Sequence, residues 1–523
     1  MSTIILASTF GVSILAIAYS LFLAFSVSSK SAGSKKLFDI SKIISDDLKK
    51  KEAKNIKDFA LVAIVLFTGI MYAFGWQSAA SFLAGAVLFI LIDYFLSTIS
   101  TKASVNMAEA AKSNAVSVYK INYNFAYAST FLIAGVGLLS VAAVNVILTD
   151  LNCLLALVLS AVLAAVFSWK SGRQNYLGTF VGTLAIAILL AKSSGVSYKN
   201  LEILPLALAS FVLIISLLSR FLSGINPAKL NVSSAMNRAV ILVSILTLVA
   251  AYFGPKYILE ASGTKLIIKL AAALALGLAL GLIIIFTRQF SKILPTVAVA
   301  LIVLASNYLA GTYGVILAAL GYLSLWPLSM LANLFSYQNK NAEAIATTAE
   351  MSETAVENIT TLDSSKIITS GYFIGLFGIL AVSALLYYFV GLGSLNFLAT
   401  DPKLISGLLL GGAASYILSS ELFVDKILKI AVAVIGVVLA GITLGPIFLA
   451  GVIAGAILID LLVSQSVSSE VLIMTIVAVF ASSFIETQYS LMIRGIIAGG
   501  TIVLVVVYFI VKMLYAKRLQ IGK

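Results

Sequence analysis

The side chains in this sequence best placed to do unusual chemistry are charges set in apolar surroundings. Asp93 lies inside FILIDYFL, Asp460 inside AILIDLLV, and Arg494 stands between Ile493 and Gly495. A charge within a membrane span marks a functional position unless something nearby pairs with it. Either acid could pair with Arg494 or hydrogen-bond across helices, and Arg494 at a helix end could also snorkel to the interface. For Asp93 and Asp460 the structural role is preferred. Other chemistries are excluded by composition. With no histidine, there is no histidine-ligated haem, no His-rich metal centre and no Ser-His pair; the single cysteine, Cys153, rules out an intrachain disulfide and any multi-cysteine metal site.

The elements that must position these residues are membrane helices. The chain has 523 residues, of which 61% are hydrophobic and 11% charged, and its mean hydropathy is +1.10. No soluble globular class has this composition. Windows of about 20 residues, the length needed to cross hydrocarbon, give roughly sixteen spans. They fall on 3–26, 58–75, 80–101, 122–148, 151–169, 176–193, 203–222, 236–254, 264–286, 293–309, 311–335, 367–391, 404–420, 427–444, 445–464 and 485–515. The stretch 470–483 is less apolar and reads as a re-entrant piece or an extension of the last helix. Glycines within the spans, among them Gly135, Gly137, Gly277 and Gly281, point to one closely packed bundle. The apolar stretch Met1–Phe25 has no basic flank and is too long for a signal peptide, so it reads as the first transmembrane helix.

The net charge of +13 belongs to membrane topology, not to nucleic acid binding. Lysines and arginines crowd the odd-numbered connections, most densely from Lys30 to Lys57, and thin out in the even-numbered ones. That asymmetry puts the odd loops in the cytoplasm and both termini outside, although the tail bearing Lys512, Lys517, Arg518 and Lys523 opposes it. Two connections are more than turns. Residues 27–57 set Leu37, Ile40, Ile43 and Ile44 at helical spacing among lysines and aspartates, the pattern of an amphipathic helix on a membrane surface. Residues 336–366 are polar, with helical spacing and little core.

Several phrases resemble the ion-pumping membrane pyrophosphatases. GTYGVILAALGYLS at 311–324 is similar to that family's eleventh helix nearly residue for residue. FLAGAVLF and the segment that follows it to Gly137, SSAMNRAVILVSIL at 233–246, DPKLISGLLLGG at 401–412 and GPIFLAGVIAGAIL at 445–458 match in the family's order. The resemblance implies an all-α bundle of about sixteen transmembrane helices, with an inner ring of six inside an outer ring. It also implies a homodimer, a magnesium pyrophosphate site at the cytoplasmic ends of the central helices, and export of H⁺ or Na⁺.

The ligands that this activity needs are mostly missing. Hard Mg²⁺ ions bridge phosphate oxygens to carboxylates. The family places two acidic motifs between its fifth and sixth helices, whereas AAVFSWKSGRQNYLGTFVGTLAIAILLA at 164–191 has no acid at all. By the same resemblance, Asn333 or Ser336 replaces an aspartate, Glu343 stands near a second and Asp363 survives. Ser370 takes a lysine's place, and FASSFIET at 480–487 leaves only Glu486 and Thr487 of the closing acidic motif. At the gate, Trp169 stands where the family has arginine, with Lys170 next to it; Asn175 replaces the aspartate, Gly182 the ion-binding glutamate, and Arg494 the lysine. Two functions follow. The first is a noncatalytic membrane protein, an accessory or scaffold subunit or a passive ion pathway, with no metal cofactor. The second is a divergent pyrophosphate-energised pump that uses Mg²⁺. A secondary transporter would need a pair of broken helices with a polar midplane site, and no clear pair is visible. The composition, and the absence of a targeting signal, point to a prokaryotic plasma membrane.

Overall fold

The computed structural model describes residues 2–29, 35–148, 150–170, 176–193, 200–222, 232–259, 264–287, 293–362, 451–453 and 456. The chain divides into two units, Met1–Phe373 and Ile374–Lys523. In the second, Val452, Ile453 and Ala456 are buried. The first carries helices α1 (Ser2–Ser28), α2 (Lys35–Ala111), α3 (Ala115–Ile147), α4 (Leu151–Lys170), α5 (Tyr176–Ser193), α6 (Leu204–Leu222), α7 (Val232–Phe253), α8 (Thr264–Thr287), α9 (Ile293–Leu323), α10 (Trp326–Thr348) and α11 (Glu353–Thr360), with a π-helical turn at Gly254–Ile258. Six helical stretches among the described residues are long and apolar enough to span a bilayer. The protein is an all-α polytopic membrane bundle.

Two of these helices are hairpins. At Gly75 the backbone takes φ 83°, ψ 175°, a conformation only glycine adopts without strain. A straight α2 would hold its ends about 110 Å apart at 1.5 Å per residue. Yet Lys36 reaches Glu350 while Ala111 accepts a bond from Asn358, only eight positions further on. The chain therefore folds back at a single residue, where the hydropathy pattern predicts a short loop over 76–79. The second reversal is at Ala310–Gly311, where Gly311 has φ 62°. A Cβ on Gly314 would strike the carbonyl of Ser306, eight residues earlier. In one straight helix those residues would lie about 12 Å apart.

The segment 35–57 is the lower part of α2 and is continuous with its first membrane limb as far as Phe74. Its apolar positions diverge: Leu37 is buried, whereas Phe38 and Ile43 are exposed. The eleventh predicted span runs from the Gly311 reversal into α10. It is interrupted only at Ser324–Leu325, where Pro327 removes a backbone donor. Its apolar window, within Tyr313–Thr348, is entirely buried, as an inner helix requires. Phe180 of α5 packs against Trp326 with ring centroids 4.6 Å apart.

Contact with α8 depends on small residues. A Cβ at Gly277 would land on the Ala318 carbonyl, and one at Gly321 on that of Leu274, so the backbones touch directly. Lipid tails are as apolar as leucine, so close packing of this kind takes the place of the hydrophobic drive. Around the crossing, Ile215, Val240, Val243, Leu278, Leu325 and Leu328 form one buried cluster.

Candidate functional site

Where α2, α3, α10 and α11 converge at their polar ends, the interior is filled with amides. Gln338, fully buried on α10, donates from Nε2 to Ser100 O at 2.6 Å and to Ser104 Oγ at 2.7 Å; its Oε1 accepts from Ser100 Oγ at 2.8 Å. Asn122, fully buried on α3, donates from Nδ2 to Phe335 O at 2.9 Å and to Asn339 Oδ1 at 2.7 Å. Asn339 in turn donates to Leu362 O at 2.8 Å, and Asn358 donates to Ala111 O at 2.9 Å. Asn106 caps this end by donating to Val27 O at 2.8 Å. Four helices and the end of α1 are thus tied by uncharged hydrogen bonds, each with a partner far away in sequence.

The local sequence explains the geometry. Asn114 caps α3 by accepting from Ser117 N at 2.8 Å, which aims α3 back along α2. On α10, Phe335, Gln338, Asn339, Ala342, Ile345 and Ala346 recur at three- and four-residue spacing and form its buried face. The segment 336–362 therefore has a packed core. Helix α10 closes in a Schellman turn, with Met351 N bonded to Ala346 O and Glu350 at φ 54° in the place usually held by glycine.

Acids at this end face outward and apart. Glu350 pairs with Lys36 at 2.6 Å on the surface, and that hydrogen bond, followed by the lysine's charge, holds its carboxyl below the usual glutamate range. Glu109 pairs with Lys112 at 2.6 Å. Glu353 and Glu357 are exposed, and Glu343 is half-buried on α10. Among the described residues no three His, Cys, Asp or Glu side chains come together in a way that could hold a metal ion.

Of the positions chosen from sequence, Asn333 lies on α10 with its Nδ2 shielded and without a hydrogen bond among the described residues. Gly182 is buried in α5, and Trp169 and Lys170 end α4. Asp93 is half-buried on the second limb of α2. Asp363, Ser370, Glu486, Arg494, Asn175 and Asp460 lie outside the described residues. The structure does not bring Asn333 and Glu343, on the same helix, into contact through any hydrogen bond. Sequence reasoning missed Gln338, Asn339 and Asn122; the available signal was their position on otherwise apolar helical faces. It also passed over Arg220, in the last turn of α6.

Residues 14–173 match the family described as inorganic H⁺ pyrophosphatase. The chain is 22% identical over 496 residues to a K⁺-insensitive pyrophosphate-energized proton pump of Methanosarcina mazei, covering 78% of this chain and 74% of that protein. A shorter match, 36% over 103 residues, covers 19% of this chain and 15% of a putative K⁺-stimulated pyrophosphate-energized sodium pump of Clostridium tetani. Over these stretches the chain is similar to membrane pyrophosphatases. Between Leu151 and Ser193 the chain carries no Asp or Glu. Mg²⁺ prefers several carboxylate and phosphate oxygens in near-octahedral array. The buried polar end of the described bundle offers amides and hydroxyls already bonded to one another, which do not fit that ion.

Proposed function

We propose that this membrane pyrophosphatase homologue is noncatalytic, serving as an accessory or scaffold subunit of a membrane complex or as a passive ion pathway, without a metal cofactor. The observation that carries this reading is the Gln338–Asn339–Asn122 network. It fills the polar end of α10 with neutral amides bonded to one another and to backbone, Asn122 Oδ1 being the one atom of the three without a partner among the described residues, where the pump would need free carboxylates. Loss of charged ligands from a phosphate site costs several kcal/mol in binding and more in the transition state. Magnesium pyrophosphate should therefore bind no better than about millimolar. We further propose a prokaryotic plasma-membrane location, termini outside, and assembly as a homodimer or with other membrane subunits.

A second reading, a divergent pyrophosphate-energised proton or sodium pump using Mg²⁺, is favoured by the length of the match to the Methanosarcina mazei protein. Magnesium-dependent phosphate release from the pure protein separates the two. Background release is expected. Release above background that disappears in Asp363→Ala or Glu343→Ala establishes the pump instead.

A further inference from the structure

Arg220, in the last turn of α6, sits among three tyrosines. Its guanidinium carbon lies 5.4 Å from the Tyr19 ring centroid, 5.4 Å from that of Tyr123 and 4.9 Å from that of Tyr127. Nη2 donates to Asn124 Oδ1 at 2.8 Å. Nη1 is shielded and has no hydrogen-bond partner among the described residues. Ring faces attract a cation through their quadrupole but offer no lone pair to its N–H groups. The helices that build the cage, α1, α3 and α6, contain no Asp or Glu. The positive charge must therefore be balanced from outside them.

The depth of the cage indicates what balances it. Ser210 Oγ donates to Thr9 Oγ1, and ten residues further along both helices Arg220 meets Tyr19, so α1 and α6 run parallel and in register. Ser20 donates to the Ala128 carbonyl, which fixes α3 against the same level. At this level the apolar stretch of α6 is ending at Leu222, and α3 changes from apolar, beyond Phe125, to the polar KINYN. The guanidinium thus lies at the boundary between hydrocarbon and headgroups. On the α1 side the cage borders lipid: Tyr19 belongs to the stripe of α1 that carries exposed Leu15 and Phe22.

We infer that Arg220 and its tyrosines form a binding site for one phosphate group of a membrane lipid. The planar fork of arginine matches phosphate oxygens. The tyrosine faces hold the fork rigid at headgroup depth, and the exposed apolar side chains beside it receive the acyl chains. This inference does not depend on whether the chain hydrolyses pyrophosphate.

The test uses the full chain purified in detergent, with bound lipid read by native mass spectrometry and unfolding followed by heat. Phosphatidylglycerol should remain bound and raise the melting temperature, while a galactosyl diacylglycerol with the same chains, and inorganic phosphate alone, should do neither. Arg220→Gln should weaken retention of phosphatidylglycerol at least tenfold, and Arg220→Lys, which keeps the charge and loses the fork, should weaken it less. Equal retention in Arg220→Gln overturns the inference and leaves the cage as packing. An equal shift with the galactolipid removes the phosphate, and an equal shift with inorganic phosphate removes the lipid. Should Arg220→Gln fail to fold, Arg220→Lys decides between the same outcomes: unchanged retention overturns the fork's role.

Discussion

Helices are joined in two contrasting ways in this protein. Where α8 meets α9, the contact is backbone on backbone, with Gly277 against Ala318 and Gly321 against Leu274. Where α3 meets α10, the helices are joined through side-chain amides, with Asn122 against Phe335 and Asn339. The first joint is set by shape and has no slack, since interiors are close-packed and carbonyls cannot move aside. The second is set by pairing, and tolerates change only while every buried donor keeps an acceptor. In lipid the first mode holds a bundle together. The second, at the polar end, holds a fixed arrangement through paired neutral side chains.

If that contrast is right, the largest effect comes from the apolar joint. Gly277→Val places a branched side chain on the Ala318 backbone. Overpacking typically costs about 1–3 kcal/mol when neighbours can shift, and a backbone carbonyl gives way less readily than a side chain. We expect loss of the folded species, seen as aggregation on gel filtration in detergent. A monodisperse variant with a melting temperature near that of the parent would show that α8 and α9 are separable.

A smaller effect is expected at the amide joint. Asn339→Leu leaves Leu362 O without its donor and deprives Asn122 Nδ2 of one acceptor, and an unsatisfied buried polar group costs about 1–3 kcal/mol. Asn122 keeps its bond to Phe335 O, so the joint weakens without breaking. The variant should stay folded with a melting temperature lowered by several degrees. Asn122→Leu combined with it should cost less than the two single changes added together, because they share one bond. Strict additivity would mean that the network is not a network.

Much of the first joint could be read from the sequence, and little of the second. The apolar windows that become α1 and α3 through α8 are visible because lipid demands about 20 apolar residues, and Gly277 and Gly281 announce close packing. The hairpins are less visible. A reversal needs only a backbone angle, and the one residue that supplies it, Gly75, sits in a run of helix-compatible neighbours. The amide joint was nearly illegible. Gln338 and Asn339 have the composition of a solvated connector; their spacing with Phe335, Ala342 and Ile345 was the one hint of burial, and the pairing with Ser100, Ser104 and Asn122 establishes it. Absent acids between α4 and α5 were plain, since a missing carboxylate is a fact of sequence.

The smallest expected effect tests whether the rim of the amide joint contributes anything beyond its interior. Glu350 occupies a left-handed position that favours glycine, and it pays for that strain with an exposed pair to Lys36. Exposed pairs contribute little, because water screens them and two flexible side chains must be ordered. Glu350→Gly should therefore raise the melting temperature slightly, through a better Schellman turn. The pH dependence gives an independent reading. Its carboxyl is held below the usual range when folded, first by the Lys36 hydrogen bond and then by its charge, so whatever the pair adds is present above the ordinary glutamate value and fades as pH falls below it. The parent should lose this small term on acidification and Glu350→Gly should not, so the gap between them should widen in favour of the variant. A variant that melts lower than the parent at neutral pH would mean that the Lys36–Glu350 pair anchors the α10–α11 turn to α2, and that the polar joint extends to its charged rim.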